Sequence, residues 1–205
     1  LHRGRAGKPD RRKRTRDRGL NRLAGHILDK DWRSICTMKP LIVIGAAPCL
    51  KDDMQNAPQA DYDYMAIGLD AVDKYLGRIE YMATFHPDEI PAIKERRKAS
   101  GGNIDYKVIK HNAAGNTNEA DYIIEYWRPT GSSALLGVQA ALGIGYKKII
   151  LCGCPLEGIN DKDTPYDVFR DGWKKNIDKV KDNVRSMSGW TKELLSAPDE
   201  DWLNG

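Results

Sequence analysis

Residues 131–154 read GSSALLGVQAALGIGYKKIILCGC, and this stretch decides the fold class. Gly131, Ser132 and Ser133 are small residues suited to cap a helix and leave its first backbone N–H groups free. The ten residues that follow are apolar nearly all round, with Gln139 the one strongly hydrogen-bonding side chain, so the spacing predicts a helix sandwiched inside the fold. Gly143 and Gly145 stop it. After a short basic turn, Ile149, Ile150 and Leu151 form the continuous apolar run of a strand covered on both faces. Helix, glycine turn and buried strand make half of an α/β unit. Ligands in such folds sit beyond the carboxyl ends of parallel strands, so Gly131, Ser132 and Ser133 at one end, and Gly153 to Pro155 at the other, are candidate pocket walls. Read alone, they are equally ordinary turn residues.

Toward the amino end, residues 41–44 are a short apolar strand running into Gly45, Ala46, Ala47, Pro48 and Cys49, small residues that let a ligand approach the backbone. The turn matches neither the Walker A pattern nor the GxGxxG fingerprint. Residues 63–68 read as a second strand, 70–76 as a helix, and 81–85 as a third strand ending at His86 and Pro87. Residues 89–99 form an amphipathic helix broken at Gly101 and Gly102; strands follow at 106–110 and 122–126, separated by a polar loop at 112–119. Beyond the opening stretch lie a polar loop at 156–166, helical spacing over 167–184, the segment RSMSGW at 185–190, and a short helix over 191–203. Strands alternate with helices throughout, which predicts one Rossmann-like α/β domain over residues 38–205 with a mostly parallel, doubly wound sheet.

Charge divides the 205-residue chain unevenly. Residues 1–37 carry twelve Lys and Arg against four Asp and Glu, a net of +8, and the remainder carries 21 against 25, a net of −4. That extension is too charged and too poor in apolar residues to fold alone, beyond a short helix at 21–32. Any contact with nucleic acid is therefore expected through residues 1–37, not the folded body. Met38 directly precedes the first strand, so translation starting there is one reading of the extension, and a basic arm for nucleic acid is the other. Cys36, Cys49, Cys152 and Cys154 show no paired metal spacing and no disulfide framework. With no apolar run near the roughly twenty residues that span a bilayer, and no hydrophobic segment at the charged amino end, the expectation is a cytoplasmic protein without a membrane partner.

Residues 38–51, MKPLIVIGAAPCLK, resemble the opening of the bacterial CMP-sialic-acid sialyltransferase-like proteins, where a strand enters a GNGPSL turn. Residues 128–156 resemble the second motif of that family: a Thr/Ser-Gly turn, a buried helix ending in ALG-Y-K, and a strand ending in glycine. Phage-encoded relatives called norphogenetic proteins resemble the chain further, with an HP pair as at His86 and Pro87 and an RSMSGW-type segment as at 185–190. The resemblance spans about residues 38–203. It implies a glycosyltransferase-like enzyme that takes a nucleotide-activated donor of the CMP-sugar type, with an unidentified acceptor and no fixed cofactor. Gly45, Ala46, Ala47, Pro48, Cys49, Gly68, Asp70, Gly131, Ser132, Ser133 and Gly153 are then its nucleotide contacts. Two departures stand out. The family's turn Asn is Ala46 here and its Ser is Cys49, and the late histidine that the sialyltransferases use as general base has no counterpart, His111 being the last histidine.

Other groups are candidates for the chemistry. His86 at a strand end suits base chemistry or caps the neighbouring helix. Asp70 suits a ribose hydroxyl or an N-cap. Arg185, with Ser186 and Ser188, suits a phosphate or a solvated helix end. Two alternatives follow from the same fold: a pterin-type pyrophosphokinase using ATP and magnesium held by Asp70 and Asp73, and a phage accessory module that binds without catalysis.

Overall fold

The computed structural model describes residues 39–112, 119–125, 127, 132–157 and 166–205. The expected helix at 21–32, the centre of the polar loop at 112–119, and Gly131 lie outside these residues. Strand β1 (Leu41–Ile44) is LIVI, buried along its whole length, because alternate side chains of a parallel strand serve two faces. Leu41 and Val43 join one core, and Ile42 and Ile44 join the other.

From β1 the chain winds outward through α1 (Leu50–Asn56), β2 (Asp63–Ile67), α2 (Gly68–Lys74), β3 (Tyr81–Thr84), α3 (Ile90–Ala99), β4 (Lys107–His111) and β5 (Tyr122–Ile124). Helix α4 (Ser133–Ile144) then carries it back to β6 (Ile149–Cys152) on the other side of β1. After α5 (Tyr166–Lys175) and α6 (Ile177–Val180) comes β7 (Val184–Ser186), followed by α7 (Gly189–Leu195) and α8 (Glu200–Asn204). The sheet of the described residues has seven strands in the order β5-β4-β3-β2-β1-β6-β7, every pair parallel. Leu41 stands level with both Asp63 and Ile149, so the carboxyl ends of β1, β2 and β6 finish together. The winding reverses between β1 and β6, and a crevice opens at such a reversal.

Helix α4 lies against the sheet as its sequence predicts. Ser132 caps it by accepting the Leu135 N–H at 3.4 Å, and Gly145, at φ +112°, ends it in the left-handed region. Gln139, the polar residue of the run, accepts the Trp127 N–H at 3.0 Å and donates to the Glu125 carbonyl. Gly137 lets the helix press on the sheet, since a Cβ there would lie 2.7 Å from Ile67 Cγ2 and 3.3 Å from Val43 Cγ1.

Several elements differ from expectation. Helix α1 carries LKDDMQN, whose buried face includes the charged Asp53, so no apolar stripe announces it. The single helix expected over 167–184 breaks at Asn176, and Val184 belongs to β7, where it pairs with Ile149. The expected helix over 191–203 is two, separated at Ser196, whose φ is +66°. No helix among the described residues is long and apolar enough to cross a membrane.

Candidate functional site

The turn after β1 and the turn after β6 are fastened back to back. Gly45 N–H donates to the Cys152 carbonyl at 2.8 Å, and Ala47 N–H to the Gly153 carbonyl at 3.1 Å. Gly45 tolerates no side chain, because a Cβ would stand 2.1 Å from the Gly153 oxygen. Gly153 has φ +68°, a conformation that favours glycine. These N–H groups therefore hold the two turns to each other instead of facing a ligand.

Above the joined turns lies a cavity of about 530 Å³, lined by Gly45 to Pro48, Ile67, Ser132 to Ala134, Gly153 to Glu157, Tyr166 and Phe169. The α4 N-terminus opens into it. Ser132 turns inward: its hydroxyl takes the Leu135 N–H, its carbonyl takes the Leu136 N–H at 3.0 Å, and the buried Trp173 indole donates to the same hydroxyl at 3.3 Å. The N–H groups of Ser133 and Ala134 belong to the first turn, which has no earlier helical carbonyl to meet, and both residues line the cavity. With the positive end of the helix dipole beside them, this end of α4 has the polarity that suits an anion.

The far wall is apolar and aromatic. Tyr166 and Phe169 on α5 meet edge to face with ring centroids 6.5 Å apart. Leu156 adopts φ +49°, costly for a branched residue, and Arg170 holds it there by donating to its carbonyl from Nε at 3.0 Å and Nη2 at 2.7 Å. The Arg170 guanidinium in turn sits 5.5 Å from the Trp190 ring centroid.

Behind the turns, Asp53 is 5% exposed, and its Oδ2 accepts both the Gly153 N–H at 2.8 Å and the Ser188 hydroxyl at 2.7 Å. Cys49 Sγ stands 3.2 Å from Ser188 Oγ, and burial raises the Cys49 thiol above its ordinary pKa. Gly189, at φ +64°, packs on Pro155, where a Cβ would come within 2.4 Å of the proline Cβ. Asp53 and the 188–189 corner thus brace the cavity floor from outside.

The residues singled out in the sequence fall into groups. Gly45, Ala46, Ala47, Pro48, Ser132, Ser133 and Gly153 meet at the cavity, and Cys49 follows directly, bound to the bracing cluster. Gly68 begins α2 with φ +73°, and Asp70 lies in the first turn of that helix; neither lines the cavity. His86 precedes a 3-10 turn at Pro87–Glu89, its backbone N–H bound to Thr84 Oγ1 at 2.9 Å. Arg185 donates to the Lys181 and Val184 carbonyls at 2.6 and 2.9 Å and stacks 4.9 Å from the Trp202 ring centroid. His86, Arg185 and Ser188 are absent from the cavity lining. Asp73 pairs with Arg96 at 3.3 Å, and among the described residues no three His, Cys, Asp or Glu side chains cluster closely enough to hold a metal ion. Sequence reading missed Asp53, Ile67, Leu156, Glu157, Tyr166 and Phe169; an unexplained acid on the inward face of α1 was the one signal available for Asp53.

No protein-family model matches the chain, and no curated protein matches it by sequence. Among solved structures, it is similar to the sialyltransferase CstII from Campylobacter jejuni in complex with the substrate analogue CMP-3FNeuAc, with a TM-score of 0.53 and 12% identity over 78% of this chain and 86% of that one. A second structure of CstII, with cytidine-5'-monophosphate, gives a TM-score of 0.53 and 14% identity over 78% and 88% of the two chains. At these identities the likeness establishes a shared architecture, a parallel α/β sheet covered by helices.

Proposed function

We propose that the chain is a glycosyltransferase-like enzyme that binds a CMP-activated sugar in the crevice between β1 and β6. The observation that carries this reading is the pairing of an anion seat with an apolar wall in one cavity. Ser133 and Ala134 N–H groups receive the phosphate, the small residues 45–48 admit it close to the backbone, and Ile67, Leu156 and Phe169 cover the less polar part of the donor. The fold shared with CstII, solved with cytidine-5'-monophosphate and with CMP-3FNeuAc, supports the same class of donor. A phosphodiester carries one negative charge, about half of which the partial positive charge of a helix N-terminus offsets without a metal ion.

A thermal-shift and calorimetric screen with CMP, CDP, UDP, ATP and NAD, each with and without magnesium, tests the proposal. CMP is expected to raise Tm in the absence of metal, by about 2.7 kcal/mol of added stability at a hundredfold excess over Kd. Stabilisation by ATP with magnesium alone instead favours the pyrophosphokinase reading, which places magnesium on Asp70 and Asp73. No response to any nucleotide leaves the accessory binding module of phage type.

A further inference from the structure

We infer that Glu157 is the group that takes the proton from the acceptor in this cavity, an inference that rests on the proposed transferase reading. Transfer of a sugar to a hydroxyl requires a base near the reacting carbon. Of the described residues lining the cavity, Glu157 is the sole carboxylate, and His86, Arg185 and Ser188 stand elsewhere. The other ionisable groups facing the space are Tyr166 on α5 and the Cys154 thiol after β6, which burial raises well above its ordinary range. Glu157 is exposed at the mouth, where an acceptor enters and a proton leaves to solvent, and among the described residues no ion pair or hydrogen bond occupies its carboxylate.

Its position is built, not incidental. The preceding residue, Leu156, is held in its left-handed conformation by two Arg170 donors, and Pro155 before it is wedged by Gly189. A side chain on a fixed stretch of backbone meets the geometric demand on a general base. In the step, the bond between the anomeric carbon and the phosphate oxygen breaks, and its electron pair leaves with CMP. The acceptor oxygen bonds to that carbon, and its proton passes to the Glu157 carboxylate and on to water.

Glu157→Gln keeps the shape and removes the base. Release of CMP from CMP-sialic acid, with water as acceptor, is expected to lose about a hundredfold in kcat, while KM and the calorimetric Kd for CMP stay within about threefold. Glu157→Asp retains more rate than Glu157→Gln, and the low-pH limb of the wild-type kcat profile disappears in Glu157→Gln. Equal Tm values across the three proteins exclude a folding defect. Wild-type kcat in Glu157→Gln overturns this inference alone, whereas a wild-type protein that binds CMP without releasing it from CMP-sialic acid overturns this inference and the enzymatic part of the proposed function, leaving nucleotide binding. A wild-type protein that binds no nucleotide overturns the proposed function and this inference together.

Discussion

Arg97 is 0% exposed and has no acidic partner among its hydrogen bonds; its charge is met almost entirely by oxygens of the backbone. Nε reaches the Asn103 carbonyl, Nη1 the Val72 and Tyr75 carbonyls, and Nη2 the Gly77 carbonyl and Asn103 Oδ1, at 2.6 to 3.0 Å. The C-terminal end of α2, helix α3 and the loop before β4 are thereby tied to one guanidinium. A lysine offers three donors from one point and cannot reach this fan of acceptors, so Arg97→Lys leaves buried carbonyls unpaired. The expected loss is about 3 kcal/mol in urea unfolding. Ser133 presents the opposite case, a residue whose change separates fold from ligand. Aspartate at the first position of α4 favours the helix dipole by about 0.3–1 kcal/mol, yet it sets a negative charge where a phosphate would sit. Ser133→Asp is therefore expected to hold or raise Tm while lowering CMP affinity by well over about tenfold, read by calorimetry.

Helix α4 shows how much of an element a sequence discloses. Its caps, its burial and its lone glutamine were all legible, because an apolar run bounded by serines and glycines has few other solutions. The packing distance was not, for it depends on which residue of the sheet meets Gly137. Valine there drives methyl groups into Ile67 and Val43 and lifts the helix from the sheet. Gly137→Val is expected to destabilise by about 1–3 kcal/mol and to weaken nucleotide binding, since the Ser133 end moves with the helix; Tm and CMP titration measure both. The same limit explains the elements that escaped reading. Helix α1 hides its inward face behind Asp53, which pairs with Gly153 and Ser188, one hundred and 135 residues further along the chain. Strand β7 has three residues, and Val184 fits the helical spacing of α5 as well as it fits a strand. Local pattern located the two glycine turns, whereas Ile67, Glu157, Tyr166 and Phe169 reach the cavity only through tertiary structure.

At the scale of the whole molecule, buried thiols and phenols set the alkaline limit of the fold. Burial raises Cys49, Cys152 and Cys154 above the ordinary thiol value of 9.0, and raises Tyr81, Tyr106 and Tyr146 above the ordinary phenol value of 10.0. Tyr62 and Tyr75 are pushed up to about 12, again by burial first. A folded chain that keeps these protons where an unfolded chain releases them is favoured below the unfolded pKa and disfavoured above it. The sign follows from linkage: between the unfolded and folded values the native state binds more protons, so unfolding free energy falls as pH rises. Each such proton removes up to about 1.4 kcal/mol per pH unit, most securely for Cys152 and Tyr146, both fully buried. The urea midpoint is therefore expected to be flat from about pH 7 to 8 and to drop steadily toward pH 11. The part of the tyrosinate absorbance near 295 nm that Tyr146→Phe removes should rise in step with that unfolding; its rise near pH 10 while the far-ultraviolet dichroism stays native would overturn the account.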